Sequence, residues 1–322
     1  MMIRRSLLAA LVLLTATVSQ ASATTWLVPG DGSNTCTVPS PNCDTIAQAV
    51  TASATGDTIQ IAAGSFPVTA TQILTKTLTF VGAGQASTTV NVTAGLAGFS
   101  VRTDDIVFRD FTIQGGTAGV TFQSVASNNT LIERVTFSAQ TSRGIEISVP
   151  VSNVSVADST IATPGVIGVR MASTTQVNGL SITGTNFIGN SYGIYQANDG
   201  NSSTLANLLV DGCTFTNVVS YAIYAEEMRD SSIEDSIFTG GASGIGLLKF
   251  YASSGFAMSN IGIRRNQFSG FTANALDLEM IGMGLGTPGL TIEGNTVTKN
   301  VAIQTSAAAT FCLLYTSPSP RD

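Results

Sequence analysis

The sequence contains no histidine among its 322 residues. Ser-His-Asp and Cys-His catalytic arrangements both need an imidazole base, so neither can form within this sequence, and a His-ligated metal site is excluded too. Charged side chains are also scarce, at 11% of the chain, with 14 basic against 20 acidic residues. Nucleic acid is therefore not an expected partner, because its phosphates require a basic surface. An acidic polysaccharide is disfavoured as well, unless Ca²⁺ bridges the carboxylates of both partners.

Long apolar runs are missing except near the amino terminus. Arg4 and Arg5 precede an apolar run over residues 7–18, and Ala-Ser-Ala follows at residues 21–23. The run is too short for a retained transmembrane helix, and the small residues after it are typical of a signal-peptide cleavage site. We therefore predict a signal peptide over residues 1–23, no transmembrane segment, and a secreted protein that is extracellular or on the cell surface.

Cysteine is rare, with four residues in the chain. Cys36 and Cys43 lie close together near the start of what we expect to be an exported protein, which predicts a local disulfide. Cys213 lies between the apolar residues Val210 and Phe215 in an inward-facing pattern. This position predicts a buried, unreactive thiol.

One phrase recurs along the chain: an apolar pair, a small or polar bend, and a second apolar pair, in most copies followed by glycine. Its copies read IVFRDFTIQGG, TLIERVTFSAQ, VSVADSTIATP, LSITGTNFIGN, LLVDGCTFTNV, SSIEDSIFTGG, IGIRRNQFSGF and LTIEGNTVTKN. The last strong apolar residue of each copy is Ile113, Phe137, Ile161, Phe187, Phe215, Phe238, Phe268 or Val297. By subtraction, the steps run from 23 residues (215 to 238) to 30 residues (238 to 268). A repeat of this length is typical of a solenoid, in which each turn buries its apolar side against its neighbours.

The aligned copies predict how each turn is built. Two apolar columns spaced two residues apart place one strand face inward. Residues that tolerate left-handed backbone then mark a bend, at Asp110, Asp158, Gly184, Gly212, Asp235 and Gly294. A second strand opens with Gly or Ala, and we expect its inward residues to be Val120, Ile145, Val169, Ile194, Ile223, Ile245, Leu276 and Ile303. Stacked in register, such strands form an all-β, right-handed parallel β-helix of about ten rungs. A β-sandwich is the alternative, but it does not need the same columns to recur.

These residues resemble the pectin-lyase-like superfamily of right-handed β-helix proteins. The segment TWLVPGDGSNTC and the following residues to AAGSF look like the amino-terminal cap of that superfamily, in which a short helix covers the first rung. Asp44 or Thr45 is expected to cap this helix, with Ile46, Ala49 and Val50 on one face. We therefore predict a cap over residues 24–57 and the parallel β-helix over residues 58–306.

The carboxyl-terminal stretch does not continue the repeat. Residues 307–322 are expected to be an unstructured tail, and residues 312–322 read CLLYTSPSPRD. One back-translation of that segment resembles a transposase adapter from sequencing libraries, so we expect the native carboxyl terminus to be replaced there.

The superfamily contains lyases, hydrolases, esterases, epimerases and non-catalytic surface proteins, so the resemblance implies no single activity. The Gly-His-Gly segment of its pectin-degrading glycosidases and the Asp-Pro-His segment of its epimerases are absent, as are the pectinesterase segments. Nothing matches the Ca²⁺-binding motifs of its pectate lyases either. We therefore expect no resident cofactor or metal, with Ca²⁺ needed only if the substrate is an acidic glycan.

Outward positions of the second strand supply the candidate site. Two residues past each opening Gly or Ala, they form a column of Thr121, Glu146, Arg170, Tyr195, Tyr224, Gly246, Asp277 and Gln304. Glu226 and Glu279 lie two residues further along their strands. We expect Tyr195 and Tyr224 to form a platform for a sugar ring, with Arg170 steadying a negative group.

Asp277, Glu279 and Glu226 are the candidate catalytic carboxylates. Asp277 and Glu279 would have backbone positions about 7 Å apart, within the range of the paired carboxylates of inverting glycosidases. The alternative is that this column is ordinary outward strand surface. Arg264 and Arg265 fall at a bend and are expected to be solvated.

Two hypotheses about function follow. The first is a monomeric secreted or surface protein that engages extracellular polysaccharide, as a polysaccharide lyase or glycoside hydrolase if it is an enzyme. The second is a non-catalytic adhesion or structural rod. A groove walled by loops over the outward column would favour an enzyme, and a flat surface would favour a rod. The longer steps before Phe215, Phe268 and Val297 mark insertions that favour a walled site.

Overall fold

The computed structural model describes residues 23–32, 36–197, 204–248, 258–280, 289–298, 301–305 and 311–314. It contains one short helix, α1 over Ile46–Ala52, and strands that pair in parallel throughout. In chain order the strands are β1 Thr25–Val28, β2 Thr58–Ile61, β3 Gly64–Val68, β4 Gln72–Leu74, β5 Thr79–Val81, β6 Thr88–Val92, β7 Ala97–Val101, β8 Val107–Gly115, β9 Ala118–Phe122, β10 Ser127–Asn128, β11 Leu131–Ser138, β12 Arg143–Ile147, β13 Val151–Ala157, β14 Thr160–Ala162, β15 Ile167–Met171, β16 Gln176–Thr183, β17 Asn186–Ile188, β18 Tyr192–Gln196, β19 Thr204–Ala206, β20 Leu209–Asp211, β21 Thr214–Thr216, β22 Tyr221–Ala225, β23 Met228–Glu234, β24 Ile237–Thr239, β25 Ser243–Leu248, β26 Ser259–Arg264, β27 Gln267–Ser269, β28 Leu276–Met280, β29 Leu290–Glu293, β30 Thr296–Val297, β31 Val301–Thr305 and β32 Phe311–Leu314.

The strands wind into a right-handed parallel β-helix with three faces. Face 1 runs from β1 through β2 and β5 to β29 and β32, and face 2 runs from β3 through β6 to β30. β8 and β11 bend from face 1 into face 2, so hydrogen bonds join these faces into one sheet of 22 strands. Face 3 is a separate sheet of ten strands, β4, β7, β9, β12, β15, β18, β22, β25, β28 and β31. The fold expected from the sequence is confirmed.

The predicted inward columns stack as expected. Phe187 pairs with Phe215, and Phe215 pairs with Phe238, in register on face 2. Their rings lie parallel, with centroids 4.6 Å and 4.7 Å apart, and Phe268 continues the stack 4.7 Å from Phe238. Each of these rings is at least 99% buried. The dry interior is therefore one continuous column rather than a set of separate cores.

The bend between faces 1 and 2 repeats in every turn from β8 to β30. The predicted Asp and Gly residues have positive φ, for example Asp110 at 63° and Gly212 at 60°. Arg134 and Arg265 occupy the same place, with φ of 50° and 54°. Each binds the aspartate at the bend of the preceding rung, Arg134 to Asp110 at 2.6 Å and Arg265 to Asp235 at 2.5 Å. These ion pairs explain how arginine is accommodated in a conformation that favours glycine, asparagine and aspartate.

The amino-terminal cap is present, and its helix begins where one of the two expected capping residues lies. The Thr45 side chain accepts from the Gln48 backbone and the Gln48 side chain accepts from the Thr45 backbone, which forms a capping box. Ile46 and Ala49 face the core, and Val50 packs against it at the side. The predicted disulfide joins Cys36 and Cys43, with Cα atoms 4.4 Å apart.

The structure differs from the expected boundaries at both ends. β1 pairs in register with β2, so the parallel sheet already begins at Thr25, inside the segment predicted to be only a cap. At the other end, Phe311–Leu314 pair in parallel with Leu290–Glu293, so this part of the predicted irregular tail is a strand. The last rung offers unpaired backbone groups, and an extended segment that follows can satisfy them.

The last turn of face 3 is also shifted by two residues from the expected register. Gln304 pairs with Glu279 rather than Asp277, and Ile303 pairs with Leu278 rather than Leu276. The reason is that Val301 pairs with Leu276 and packs against the core. An apolar residue ahead of Ala302 therefore starts the strand earlier than the Gly or Ala pattern predicted.

Candidate functional site

Four tyrosines form a cluster on the outer side of face 3, which we call the tyrosine face. Tyr192 and Tyr195 lie on β18, and Tyr221 and Tyr224 lie in register with them on β22. The Tyr195 and Tyr224 rings stack with centroids 5.3 Å apart, and Tyr192 and Tyr195 approach to 4.6 Å. The cluster is separate from the main core. Tyr224 is only 8% exposed, whereas the other three rings are half-buried.

The alternation of sides is broken at the start of each strand, which lets both of its tyrosines lie in one cluster. Residues three apart on a regular strand face opposite sides, but Gly193 and Ile194 are both buried while Tyr192 and Tyr195 are both half-buried. A Cβ at Gly193 would lie 2.4 Å from the Ala222 carbonyl oxygen and 2.8 Å from the Phe215 ring. A side chain at Gly193 would therefore press against the next strand and the phenylalanine column, although Ala222 occupies the equivalent place on β22.

Asp277 is joined to the cluster from two strands away. The Tyr221 hydroxyl donates to Asp277 Oδ2 at 2.8 Å, across the intervening strand β25. Gly246 lies between them, and a Cβ there would be 2.6 Å from the Tyr221 ring. The Tyr221 ring thus lies in the slot that is left because Gly246 has no side chain. Asp277 itself is half-buried.

Glu226 is bound inside the cluster. The Tyr224 hydroxyl donates to Glu226 Oε1 at 2.7 Å, and the backbone N–H groups of Glu226 and Glu227 donate to Gln196 Oε1 at 2.9 Å and 3.0 Å. Burial and the neighbouring Glu226 carboxylate raise the pKa of Tyr224 well above its ordinary value. Glu226 is only 7% exposed. Both groups therefore stabilise the cluster rather than project from it.

Arg170 lies next to Tyr195 in register but is engaged by a carboxylate. Its Nη1 lies 2.7 Å from Glu146 Oε1, and Arg143 also pairs with Glu146. Glu146 is only 6% exposed. Burial and the charge of Arg170 lower the pKa of Arg143. Two guanidinium groups thus cover one carboxylate, and this end of the tyrosine face carries a net positive charge.

The structure brings together most of the residues predicted for the site. Tyr195, Tyr224 and Glu226 are in one cluster, Asp277 is bound to it through Tyr221, and Arg170 is one rung away. Glu279 pairs with Leu248 and Gln304 on face 3, and its side chain lies outside the described residues. The expected spacing of the Asp277 and Glu279 carboxylates stays a prediction.

Sequence reasoning missed Tyr192 and Tyr221. Their signal is the repeated spacing Tyr-Gly-Ile-Tyr and Tyr-Ala-Ile-Tyr on successive turns. Gly246 was placed in the outward column, but its role as the slot for Tyr221 depends on a contact between turns.

The insertions expected to wall the site fall outside the described residues. They correspond to residues 198–203, 249–257 and 281–288, which follow β18, β25 and β28 of face 3. Within the ranges that are described, no three His, Cys, Asp or Glu side chains form a group that could bind a metal ion. Among those same residues, no helix has the length and apolar character needed to cross a bilayer.

Buried Cys213 does not contribute to this face. It lies in the inward column at the bend between faces 1 and 2, and it is a free, buried cysteine. Burial raises the pKa of its thiol to about 11. The prediction of a buried thiol is confirmed, and its lack of reactivity stays a prediction.

Comparisons with known proteins agree on the fold. Solved structures that are similar include an alginate lyase from Paenibacillus sp., 13% identical, covering 88% of this chain and 98% of that chain with a TM-score of 0.56. The surface adhesin PfbA of Streptococcus pneumoniae is also 13% identical, covering 76% of this chain and 71% of that chain with a TM-score of 0.52. The pectate lyase Pel9A is 14% identical, and the match covers 89% of this chain and 79% of that chain with a TM-score of 0.51. At these identities the likeness shows the fold alone.

A search by sequence among curated proteins found no match. The family profile described as "Right handed beta helix region" matches residues 80–209 and 201–311, which together span most of the chain. The columns, the parallel register and this match agree, and the chain belongs to the right-handed β-helix family.

Proposed function

We propose that this protein binds extracellular polysaccharide on the tyrosine face. The observation that carries the proposal is the cluster of Tyr192, Tyr195 and Tyr221, three half-buried rings on one side of a rigid sheet, beside the Asp277 carboxylate. Aromatic rings offer apolar faces to the C–H side of a sugar, and a carboxylate accepts hydrogen bonds from its hydroxyl groups. A sheet supported by a packed core holds these groups without loss of side-chain freedom on binding.

A location outside the cell is also part of the proposal. A signal peptide, secretion and a monomeric rod are expectations from the sequence, and the Cys36–Cys43 disulfide supports an oxidising compartment. The similar structures include two polysaccharide lyases, which supports a carbohydrate partner.

Binding is tested with a panel of neutral and acidic polysaccharides, with and without Ca²⁺. Tyr195→Ala is expected to lower the affinity for the bound polysaccharide about tenfold, equivalent to about 1.4 kcal/mol of binding free energy. Thr136→Ala, on the outer side of face 2, is the matched control and should bind normally. If no polysaccharide binds the unaltered protein, the proposal is wrong.

For catalysis we favour Asp277 over Glu226 as the acting carboxylate. Glu226 is covered and accepts a hydrogen bond from Tyr224, whereas Asp277 is half-buried beside the half-buried ring of Tyr221. If the bound polysaccharide is cleaved, Asp277→Asn should lower kcat at least a hundredfold, since general acid or base catalysis contributes about 10²–10⁴-fold. The unfolding temperature should stay unchanged. Unchanged turnover would exclude Asp277 as a catalytic residue.

The second candidate is a non-catalytic adhesion rod. The observation in its favour is that Arg170 and Glu226 are both engaged by neighbours of the same face. The similar fold of a surface adhesin is consistent with it. Binding without any release of reducing ends or unsaturated products would favour this candidate over an enzyme.

A further inference from the structure

A groove lies on a different part of the molecule from the tyrosine face, at the corner where the chain enters face 1. It consists of two cavities of about 320 Å³ and 230 Å³. Asn207 and Asp230 line both cavities, so the two are continuous. Arg264 and Asn260 line the larger cavity, and Arg229 lines the smaller one. Because Asn178 also lines the smaller cavity, the groove follows four successive turns of the β-helix.

The two arginines of this groove have no acidic partner within the part of the chain that the structure describes. Other arginines pair with carboxylates, as Arg109 does with Glu133 at 2.7 Å and Arg265 with Asp235 at 2.5 Å. Arg229 is exposed, and Arg264 makes one weak contact, from Nη1 to Ser232 Oγ at 3.5 Å. The lining of the groove therefore holds two arginines and one carboxylate, Asp230, in a chain with a net charge of −6. Glu234 and Glu293 lie in register beside Arg264, but Glu234 pairs with Arg265 at 2.9 Å.

Gly262 sets the position of the Arg264 guanidinium. It is buried on the floor of the larger cavity, and a Cβ there would lie 2.0 Å from Arg264 Nη1. The guanidinium thus lies flat over the glycine instead of extending into solvent. Because Arg264 is the flexible partner in this contact, a methyl group at Gly262 would displace it without disturbing the backbone.

A row of amide side chains follows these corners along the β-helix, and it is interrupted where it passes through the groove. At successive corners, Asn153 donates to Asn129 at 3.1 Å and Asn260 donates to Asp230 at 2.9 Å. Asn207 donates to Asn178 at 2.6 Å, in the direction away from Asp230, and a carboxylate has no proton to donate back. Asn207 and Asp230 both line the groove, so a carbonyl oxygen and a carboxylate supply acceptors there.

We propose that this groove binds an anionic oligosaccharide, with Arg229 and Arg264 contacting its carboxylate or sulfate groups. Guanidinium groups recognise such anions through charge-assisted hydrogen bonds. The acceptors of Asn207 and Asp230 take hydrogen bonds from sugar hydroxyl groups. A nucleic acid fits less well, because its backbone offers phosphates next to Asp230. The overall negative charge of the chain disfavours acidic glycans, but the groove presents two cations against one carboxylate.

The test measures binding of three probes in the presence of EDTA, so that no cation bridges the partners. The probes are an oligouronate, a sulfated oligosaccharide and the carboxyl-reduced, neutral form of the oligouronate. We expect at least one anionic probe to bind and the neutral form to bind at least tenfold more weakly. Equal binding of the neutral form, or no binding of either anionic probe, would overturn the proposal.

Four variants locate the site. Arg229→Gln and Arg264→Gln are each expected to lower the affinity for the anionic probe about tenfold. Gly262→Ala is expected to lower it severalfold, because the added methyl group moves Arg264 out of the groove. Arg109→Gln is the matched control, since Arg109 lies in the same outward column of face 1 as Arg264 but far from the groove. Each variant is first checked for an unchanged unfolding temperature.

The same variants distinguish failure of the groove proposal from failure of the proposed function of the tyrosine face. If binding of the anionic probe is lost in Tyr195→Ala but kept in both arginine variants, the groove is not its site, while the tyrosine face remains supported. If it is lost in the arginine variants and kept in Tyr195→Ala, the protein has two separate sites.

Discussion

Single residues in the phenylalanine column carry much of the stability of each turn. Phe215 lies between Phe187 and Phe238, with ring centroids 4.6 Å and 4.7 Å away. We predict that Phe215→Ala lowers the free energy of unfolding by about 3–5 kcal/mol, because it leaves a cavity that the stacked turns cannot close. Thr214→Ala, on the outer side of the same strand, should change it by less than about 0.5 kcal/mol. Denaturant unfolding measures both, and equal effects would contradict the stacked column.

The sequence predicts the inward residues well because their columns recur at every turn. It predicts the bend residues only where they are Asp or Gly. Arg134 and Arg265 adopt the same left-handed conformation, but the reason is an ion pair with the turn before, which no local pattern reveals. Features of single residues that depend on contacts between turns therefore cannot be predicted from the local sequence.

At the scale of elements, the cap is organised around Asp57. Its carboxylate accepts from the Trp26 indole at 2.8 Å, the Ala54 backbone at 2.7 Å and the Thr24 backbone at 2.8 Å. Burial raises the pKa of Asp57, but these hydrogen bonds outweigh it, so the pKa lies below its ordinary value. The carboxylate therefore stabilises the cap above about pH 4, and this contribution is lost as pH falls through the lowered pKa.

This effect can be measured because Trp26 is the single tryptophan of the chain. We predict that the denaturation midpoint followed by Trp26 fluorescence falls as the pH decreases below about 4. Asp57→Asn should lower cap stability at neutral pH by about 1–3 kcal/mol and flatten this acid dependence. An unchanged pH profile in Asp57→Asn would show that Asp57 does not hold the cap.

The strands of the tyrosine face show how far a site can be predicted from sequence. The alternation along β18 and β22 places Tyr195 and Tyr224 in one column, as the register confirms. The sequence cannot show that Tyr224 is covered, because its neighbours Tyr192 and Tyr221 reach it only where the alternation of the strand is broken. It also cannot show that Tyr221 spans a whole turn to reach Asp277.

Gly246→Ala tests that arrangement without altering any polar group. The added methyl would lie 2.6 Å from the Tyr221 ring, so the ring must leave its slot and its hydroxyl must leave Asp277. We predict that polysaccharide affinity falls as much as in Tyr221→Ala, with little change in unfolding temperature. Full affinity in Gly246→Ala would show that the bond between Tyr221 and Asp277 is not needed.

At the scale of the whole molecule, the β-helix separates chemistry by face. The outer side of face 3 carries aromatic rings and carboxylates, while the corner entering face 1 carries two cations and a row of amides. Because every turn is fixed by its neighbours, these surfaces keep their positions along a rigid rod. Among these surfaces, we propose the tyrosine face as the one that binds polysaccharide.

Radical footprinting of the intact protein, with and without the polysaccharide selected from the panel, tests binding at the tyrosine face. Oxidation depends on solvent access, so a bound chain should protect the half-buried residues Tyr192, Tyr195 and Tyr221. Tyr224 is already covered and should react weakly in both states. Protection of the three rings, with no change on the outer side of face 2, is the predicted result. Unaltered reactivity of these tyrosines in the saturated complex would show that the polysaccharide does not bind at the tyrosine face.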